Sequence, residues 1–139
     1  MPKIDTLYPA FKEKVQAFLD KLKESGISVA VTCGRRTLAE QNALFAKGRS
    51  APGTVVTNAK GGSSPHNFGL AVDICPLNSA GHLDWNAKDA TWKEIADIAV
   101  SMGLVAGYYF KTLHDAPHFE DKNWRQVQAA WKRGEVKIV

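Results

Sequence analysis

Two histidines and two carboxylates, in the middle and the late part of the chain, could form one reactive centre. His66 and Asp73 lie within SPHNFGLAVD, and Asp115 and His118 lie within DAPH. Catalytic zinc sites commonly take three protein ligands from His, Asp and Glu and keep a fourth position for water. Under this hypothesis His66, Asp73 and His118 are the ligands. The remaining carboxylate, Asp115, is then free to act as a general base.

The spacing of these residues permits a shared site without requiring one. His66 and Asp73 are seven residues apart, which would span roughly 23 Å in an extended chain. The chain must therefore turn back between them, and Gly69 can adopt the backbone geometry that such a turn needs. A surface or hydrogen-bonded role is the alternative for each residue, and spacing alone leaves both interpretations open.

The two other histidines fit the site less well. His114 stands four residues before His118, which is the spacing of the helical ligands in H-E-x-x-H metalloproteases. Pro117 lies within that interval, lacks a backbone donor and disfavours helical geometry at the residue before it. We therefore expect His114, and likewise His82, to face solvent or to support the site from outside the ligand set.

Length and composition indicate a globular protein. The chain has 139 residues, of which 45% are hydrophobic and 23% charged, and this predicts one domain, residues 1–139. No segment approaches the roughly 20 apolar residues of a membrane span, and the amino terminus lacks the apolar region of a signal peptide. The net charge of +4 favours a polyanionic partner such as an acidic cell wall. Its dispersed cations argue against nucleic-acid binding.

Two cysteines, Cys33 and Cys75, belong to no C-x-x-C pair. Each lies in an apolar run, so buried free thiols are favoured over metal ligation. A disulfide between them remains an alternative, because the sequence does not give their separation.

Apolar periodicity and turn residues predict the elements that must position the site. Helices are predicted over residues 8–25, from the capping-box sequence at 37–40 to just before Gly48, over 88–102 and over 123–133. Strands are predicted over residues 27–33, 70–75, 104–111 and 117–120, with 55–56 as a possible short strand inside a long loop from 49 to 68. In the 70–75 strand, Asp73 is expected on the face opposite to Val72 and Ile74. The closely spaced late strands favour an α+β fold, a small antiparallel sheet packed with helices, over a parallel α/β sheet.

The string S-x-H-x-x-G-x-A-x-D from Ser64 to Asp73, followed by D-x-P-H-F from Asp115, resembles the D-alanyl-D-alanine carboxypeptidase-like zinc metallopeptidases. The resemblance runs from Thr32 to Glu120. It is strongest to the phage endolysins and bacterial wall enzymes that act as L-alanyl-D-glutamate peptidases. It implies a fold of the hedgehog and DD-peptidase type.

The resemblance also implies roles for individual residues. Zn²⁺ is the implied cofactor, and its implied ligands are His66, Asp73 and His118. Asp115 is the implied catalytic acid and base, and Arg36 the group that stabilises the developing oxyanion. The implied substrate-binding residues are Ser64, Gln41 and Tyr108. Arg35 and the 106–110 segment AGYYF depart from the relatives, and we expect both to line the cleft.

The implied function is hydrolysis of the bond between L-alanine and D-glutamate in the peptidoglycan stem peptide. We expect a monomeric phage endolysin, made in the host cytoplasm and released through a membrane pore to degrade the wall in bacteriolysis. One alternative is a carboxypeptidase that removes terminal D-alanine with the same catalytic set. The other is a non-catalytic, zinc-containing wall-binding module. Asp115 and Arg36 argue against the module, because a binder needs neither.

Overall fold

The computed structural model of the protein describes residues 3–138. It contains four helices, at the positions that the apolar periodicity predicts. They are α1 (Pro9–Glu24), α2 (Leu38–Ala46), α3 (Asp89–Ser101) and α4 (Trp124–Lys132). Pro9 starts α1 at a position where its missing N–H costs nothing. The capping box at the start of α2 is complete, with Thr37 and Glu40 each bonding the other's backbone N–H.

Four short strands form one antiparallel sheet. They are β1 (Val29–Cys33), β2 (Ala71–Pro76), β3 (Val105–Ala106) and β4 (His118–Glu120), in the spatial order β1-β2-β4-β3. Every neighbouring pair is antiparallel, so the predicted α+β class is confirmed. The strand predicted over 104–111 is wrong beyond residue 106, because the chain tightens there into a 3₁₀ turn, Gly107–Tyr109. Residues 55–56 form no strand.

One face of the sheet and the apolar stripes of the helices form the core. Val72, Ile74 and Phe119 are fully buried, and Phe119 packs on Phe18 of α1 with ring centroids 5.2 Å apart. Side chains alternate between the two faces of a strand, so Asp73, between Val72 and Ile74, belongs to the opposite face. Burial of the hydrophobic face holds β2 and β4 in position. Asp73 and the other residues on their opposite face are thereby held in position as well.

Both cysteines are free thiols, Cys33 partly exposed and Cys75 buried. In the sheet register Cys75 pairs with Ala30, whereas Cys33 pairs with Asp73. Among residues 3–138, no helix has the length and apolarity that crossing a membrane would require.

Candidate active site

The sheet register brings two of the predicted residues together. Asp73 of β2 lies directly opposite His118 of β4. Their side chains point to the same face, and His118 Nδ1 lies 3.5 Å from Asp73 Oδ1. Forty-five residues separate them along the chain, so the antiparallel pairing is what places them side by side.

His66 reaches the same oxygen from a 3₁₀ turn, Pro65–Phe68, immediately before β2. The Ser64 hydroxyl caps this turn by accepting from the His66 backbone N–H at 3.2 Å. Gly69 ends it in the left-handed conformation, with φ of 68°, and a Cβ there would lie 2.7 Å from the Tyr8 backbone nitrogen. The chain therefore turns back as predicted, and His66 Nε2 lies 3.3 Å from Asp73 Oδ1.

Hydrogen bonds on the far side of each imidazole fix which nitrogen faces Asp73. His66 Nδ1 lies 2.8 Å from the Gly34 carbonyl oxygen, which leaves Nε2 toward Asp73. His118 Nε2 lies 2.7 Å from Glu120 Oε1, and the Trp124 indole N–H donates to Glu120 Oε2 at 2.9 Å. Such partners orient the histidine ligands of metal sites.

Glu120 was not among the predicted site residues. Its signal in the sequence is the pattern H-F-E, because residues two apart on a strand share a face.

Asp73 Oδ1 is buried and makes no hydrogen bond of acceptable geometry, although two imidazole nitrogens lie close to it. A buried carboxylate oxygen without a partner is costly, and a cation between the three side chains would satisfy it. Two nitrogens and one carboxylate oxygen form a donor set that suits zinc. The residues present therefore fit the metal.

Cys33 is a second group beside this cluster. Cys33, His66 and Asp73 each place a potential ligand atom within 4.8 Å of the others. The Cys33 sulfur, however, lies 3.8 Å from His66 Nδ1, the nitrogen already bonded to Gly34, and accepts from Arg36 Nη2 at 3.4 Å. The thiol therefore contacts the His66 nitrogen that does not face Asp73. His118, in contrast, directs a nitrogen without another partner toward Asp73.

Electrostatics show that the cluster is adapted to positive charge. Burial alone would lower the pKa of His66, but contacts with the Asp73 carboxylate and the Cys33 thiol raise the pKa of His66 to about 9. Burial alone would raise the pKa of Asp73, but the two histidines hold the pKa of that carboxyl well below its usual range. The pKa of His118 is raised by Asp73 and Glu120 against the effect of burial. Without metal, a proton on His66 supplies positive charge beside Asp73.

Asp115 sits on the turn that leads into β4. Its backbone N–H donates to the Gly107 carbonyl at 3.0 Å, and its own carbonyl accepts from the His118 N–H at 3.1 Å. A Cβ on residue 107 would overlap the Asp115 carbonyl oxygen, so this approach requires glycine. Burial, supported by the nearby charge of Asp73, raises the pKa of Asp115. A carboxylate with a raised pKa is a better proton acceptor near neutral pH.

Arg36, at the junction between β1 and α2, approaches the cluster from another side. Its Nη2 lies 4.0 Å from Asp73 Oδ2, and its Nη1 donates to Gln41 Oε1 at 2.7 Å. Gln41 is fully buried and donates to the Ala59 carbonyl at 2.7 Å. The structure thus places Gln41 behind Arg36 as a support, away from the surface that a substrate could contact.

A cavity of about 820 Å³ opens over these groups. It is lined by His66, Asp73, Asp115 and His118 together with Arg36 and Ser64. Residues 55–58 form one wall segment, and residues 112–114 with Phe110 form another. Arg49 supports the first wall by donating to the Thr57 carbonyl at 3.0 Å and to Asn58 Oδ1 at 3.1 Å. The long loop is therefore held in place as one side of a cleft.

Of the three predicted substrate-binding residues, Ser64 lines this cavity and Gln41 and Tyr108 do not. The 3₁₀ turn after Ala106 directs Tyr108 toward α3, where its hydroxyl donates to the Asp89 carboxylate at 2.9 Å. Phe110 is the residue of the AGYYF segment that reaches the cavity, and Arg35 lies outside it. His114 is exposed on the cavity wall and packs on Tyr108, 5.2 Å between ring centroids.

The sequence matches a known protein family and a bacterial protein. Residues 5–126 match the family model VanY, D-alanyl-D-alanine carboxypeptidase. The peptidoglycan L-alanyl-D-glutamate endopeptidase CwlK of Bacillus subtilis (strain 168) is 34% identical over 127 residues, which cover 86% of this chain and 76% of CwlK.

Solved structures share the fold. The L-Ala D-Glu endopeptidase ChiX of Serratia marcescens superposes with a TM-score of 0.66 at 23% identity, over 91% of this chain and 87% of ChiX. A vancomycin resistance D,D-pentapeptidase VanY in complex with Zn(II) gives a TM-score of 0.61 at 15% identity, over 92% of this chain and 79% of that one. Taken with the extent of the family match and the identity to CwlK, the chain belongs to the VanY family of D-alanyl-D-alanine carboxypeptidases.

Proposed function

We propose that this protein is a zinc-dependent peptidoglycan endopeptidase that hydrolyses the bond between L-alanine and D-glutamate in the stem peptide. The observation that carries the proposal is the convergence of two imidazole nitrogens on the unpartnered Asp73 Oδ1, in an open cavity that Asp115 and Arg36 also line. The choice of bond is supported by the 34% identity to CwlK.

His66 Nε2, Asp73 Oδ1 and His118 Nδ1 are the proposed ligands of zinc. His118 is preferred to Cys33 because Glu120 holds its ring with a free nitrogen toward Asp73, whereas the Cys33 thiol is engaged by Arg36. When bound, zinc lowers the pKa of water toward neutrality and polarises the scissile carbonyl.

The remaining chemistry belongs to Asp115 and Arg36. Asp115 takes a proton from the attacking water and returns it to the amine that leaves, so one carboxyl group serves as base and then as acid. Its raised pKa suits both steps. The Arg36 guanidinium, fixed by Gln41, donates to the oxygen of the scissile carbonyl as negative charge develops there.

The proposed biological role is that of a monomeric lytic enzyme in which residues 1–139 form a single catalytic domain. The net charge of +4 supports attraction to an acidic wall polymer. A phage endolysin, made in the host cytoplasm and released to the wall, fits a small, positively charged, single-domain enzyme. Added to bacteria with a permeabilised outer layer, the purified protein should reduce culture turbidity, and the Asp115→Asn variant should not.

Digestion of purified peptidoglycan, followed by mass spectrometry of the fragments, tests the proposed bond. The expected new ends are free amines on D-glutamate, with L-alanine left on the glycan side. Fragments that keep every L-alanyl-D-glutamate bond intact would refute the proposal.

A second candidate function is removal of the terminal D-alanine, favoured by the match of residues 5–126 to the D-alanyl-D-alanine carboxypeptidase family. Both reactions are amide hydrolyses that use the same groups, so the site geometry alone does not separate them. In the same digest, release of free D-alanine would favour the carboxypeptidase. Zinc-loaded protein that bound the wall and released nothing would favour a binding module.

A further inference from the structure

One arginine that lines the cavity, Arg125, has no hydrogen-bond or ion-pair partner among the residues that the structure describes. Arg36 and Arg125 are the arginines among the described residues that line the cavity, which no described lysine lines. Arg36 is engaged by Gln41, Cys33 and Asp73. The side chain of Arg125, by contrast, makes no hydrogen bond or ion pair with any residue from 3 to 138. Its charge is therefore available to a ligand.

Arg125 is presented by a firmly anchored element. Its guanidinium carbon lies 4.5 Å from the centroid of the Trp124 ring, a cation–π contact that restricts the side chain. Trp124 is only 5% exposed and donates to Glu120, which holds His118. α4 is also tied to the loop before His66, because Gln128 donates to the Gly62 carbonyl at 2.8 Å. The cation thus stands at a defined place on the His118 side of the cavity.

The nearby carboxylates do not compete for this cation. Glu120 already accepts from His118 and Trp124, and Asp73 belongs to the proposed metal site. Neither forms an ion pair with Arg125. An arginine left unpaired beside a reactive centre suits a planar anion on the substrate, which its fork of donors can bind through two parallel hydrogen bonds.

The proposed substrate supplies such an anion. A glutamate residue has two carboxyl groups, and a peptide chain that continues beyond it uses only one. The other stays free, within a few bonds of the amide that joins this residue to L-alanine. A substrate whose scissile amide occupies the site therefore brings this carboxylate into the cavity that Arg125 lines.

We propose that Arg125 binds the free carboxylate of the D-glutamate residue and is a specificity-determining residue of this enzyme. The inference rests on the proposed function, since it assigns the substrate group that this site recognises. An amide in place of that carboxylate carries no charge, and its NH₂ group faces the N–H donors of Arg125 where an acceptor is needed. Amidated stem peptides should therefore be poor substrates.

Two synthetic stem peptides test the inference, one with the free D-glutamate carboxylate and one with that group amidated. Their kcat and KM are measured with the wild type, Arg125→Gln and Arg133→Gln. Arg133 is the matched control, because it follows α4, pairs with Glu135 and lies outside the cavity. Zinc content and urea unfolding are measured for each protein.

The wild type should favour the free carboxylate by about tenfold or more, as expected for hydrogen bonds between charged groups. Arg125→Gln should lose this preference, mainly through a higher KM for the carboxylate peptide, with zinc content unchanged. Arg133→Gln should behave like the wild type.

Equal losses on both peptides would show a structural role for Arg125 and would overturn the inference, as would an unchanged preference. If the wild type cleaves both peptides equally well, the inference fails and the proposed function stands. If it cleaves neither, the proposed function fails and the inference fails with it.

Discussion

The double contact of Glu120 gives the sharpest test of the metal site. Its two oxygens accept separately, Oε1 from His118 Nε2 at 2.7 Å and Oε2 from the Trp124 indole at 2.9 Å. In Glu120→Gln one oxygen becomes an NH₂ group, which faces an N–H donor whichever way the amide turns. The side-chain length is kept, so β4 can still pair with β2 and β3. The change therefore acts on the orientation and basicity of the His118 ring.

Loss of a carboxylate that supports a metal-bound histidine typically weakens metal binding by about 10- to 100-fold, which corresponds to about 1.4 to 2.8 kcal/mol. We expect Glu120→Gln to fall in this range, because both hydrogen bonds are short and Glu120 is only partly exposed. Loss of the hydrogen bond from Trp124 to Glu120 would weaken zinc binding further, because this bond helps to hold the side chain of residue 120 against His118.

Competition with a chelator of known affinity measures this change directly and without any activity assay. Glu135→Gln is the matched control, because Glu135 pairs with Arg133 on the surface at 2.8 Å and contacts no proposed ligand. Zinc affinity equal to that of the wild type in Glu120→Gln, with the same urea unfolding curve, would refute His118 as a ligand oriented by Glu120.

Three further predictions concern the other groups of the site. Asp115→Asn should lower kcat by about 10²- to 10⁴-fold with zinc retained; elemental analysis checks the metal, and its loss would identify Asp115 as a ligand. Gln41→Ala should lower kcat more than it raises KM, because Arg36 loses its 2.7 Å acceptor, and should reduce the free energy of unfolding by about 1–3 kcal/mol; an unchanged kcat would contradict the supporting role. Because the pKa of metal-free His66 is about 9, zinc must displace its proton, so the apparent zinc affinity should fall from pH 9 to pH 6. A flat pH profile of chelator competition would show that His66 is no ligand.

The helices could be predicted from the sequence because their signals are local. The stripe of Phe11, Val15, Phe18 and Leu22 is buried as its spacing predicts, and the capping box of α2 lies within four consecutive residues. The segment 104–111 has a comparable run of apolar and aromatic residues, yet it is a strand only at Val105–Ala106. Its 3₁₀ turn accommodates the close approach of Gly107 to the Asp115 turn, a tertiary contact that no local pattern encodes.

The same distinction applies to the site. His66, Asp73, Asp115 and His118, which line one cavity, could be predicted as a group because each lies in a compact motif. The groups that hold these side chains in place could not be predicted. The Gly34 carbonyl contacts His66 through a backbone atom, which no residue type reveals. Gln41 was expected to contact the substrate, but it lies beneath Arg36. Whether a polar residue faces the substrate or a neighbouring catalytic group depends on the packing of α2 on the loop at Ala59.

Under the proposed mechanism, the motif residues account for the chemistry and leave the substrate open. An endopeptidase and a carboxypeptidase need the same metal ligands, the same base and the same cation at the oxyanion, so those positions cannot distinguish their substrates. Under the proposed mechanism, discrimination comes from the other groups that line the cavity, among them residues 55–58, residues 112–114 and Arg125. Of these, Arg125 alone bears a full charge that no described residue neutralises. A substrate with a carboxylate beside the scissile amide would complete that pairing, and one without it would leave the cation unmatched.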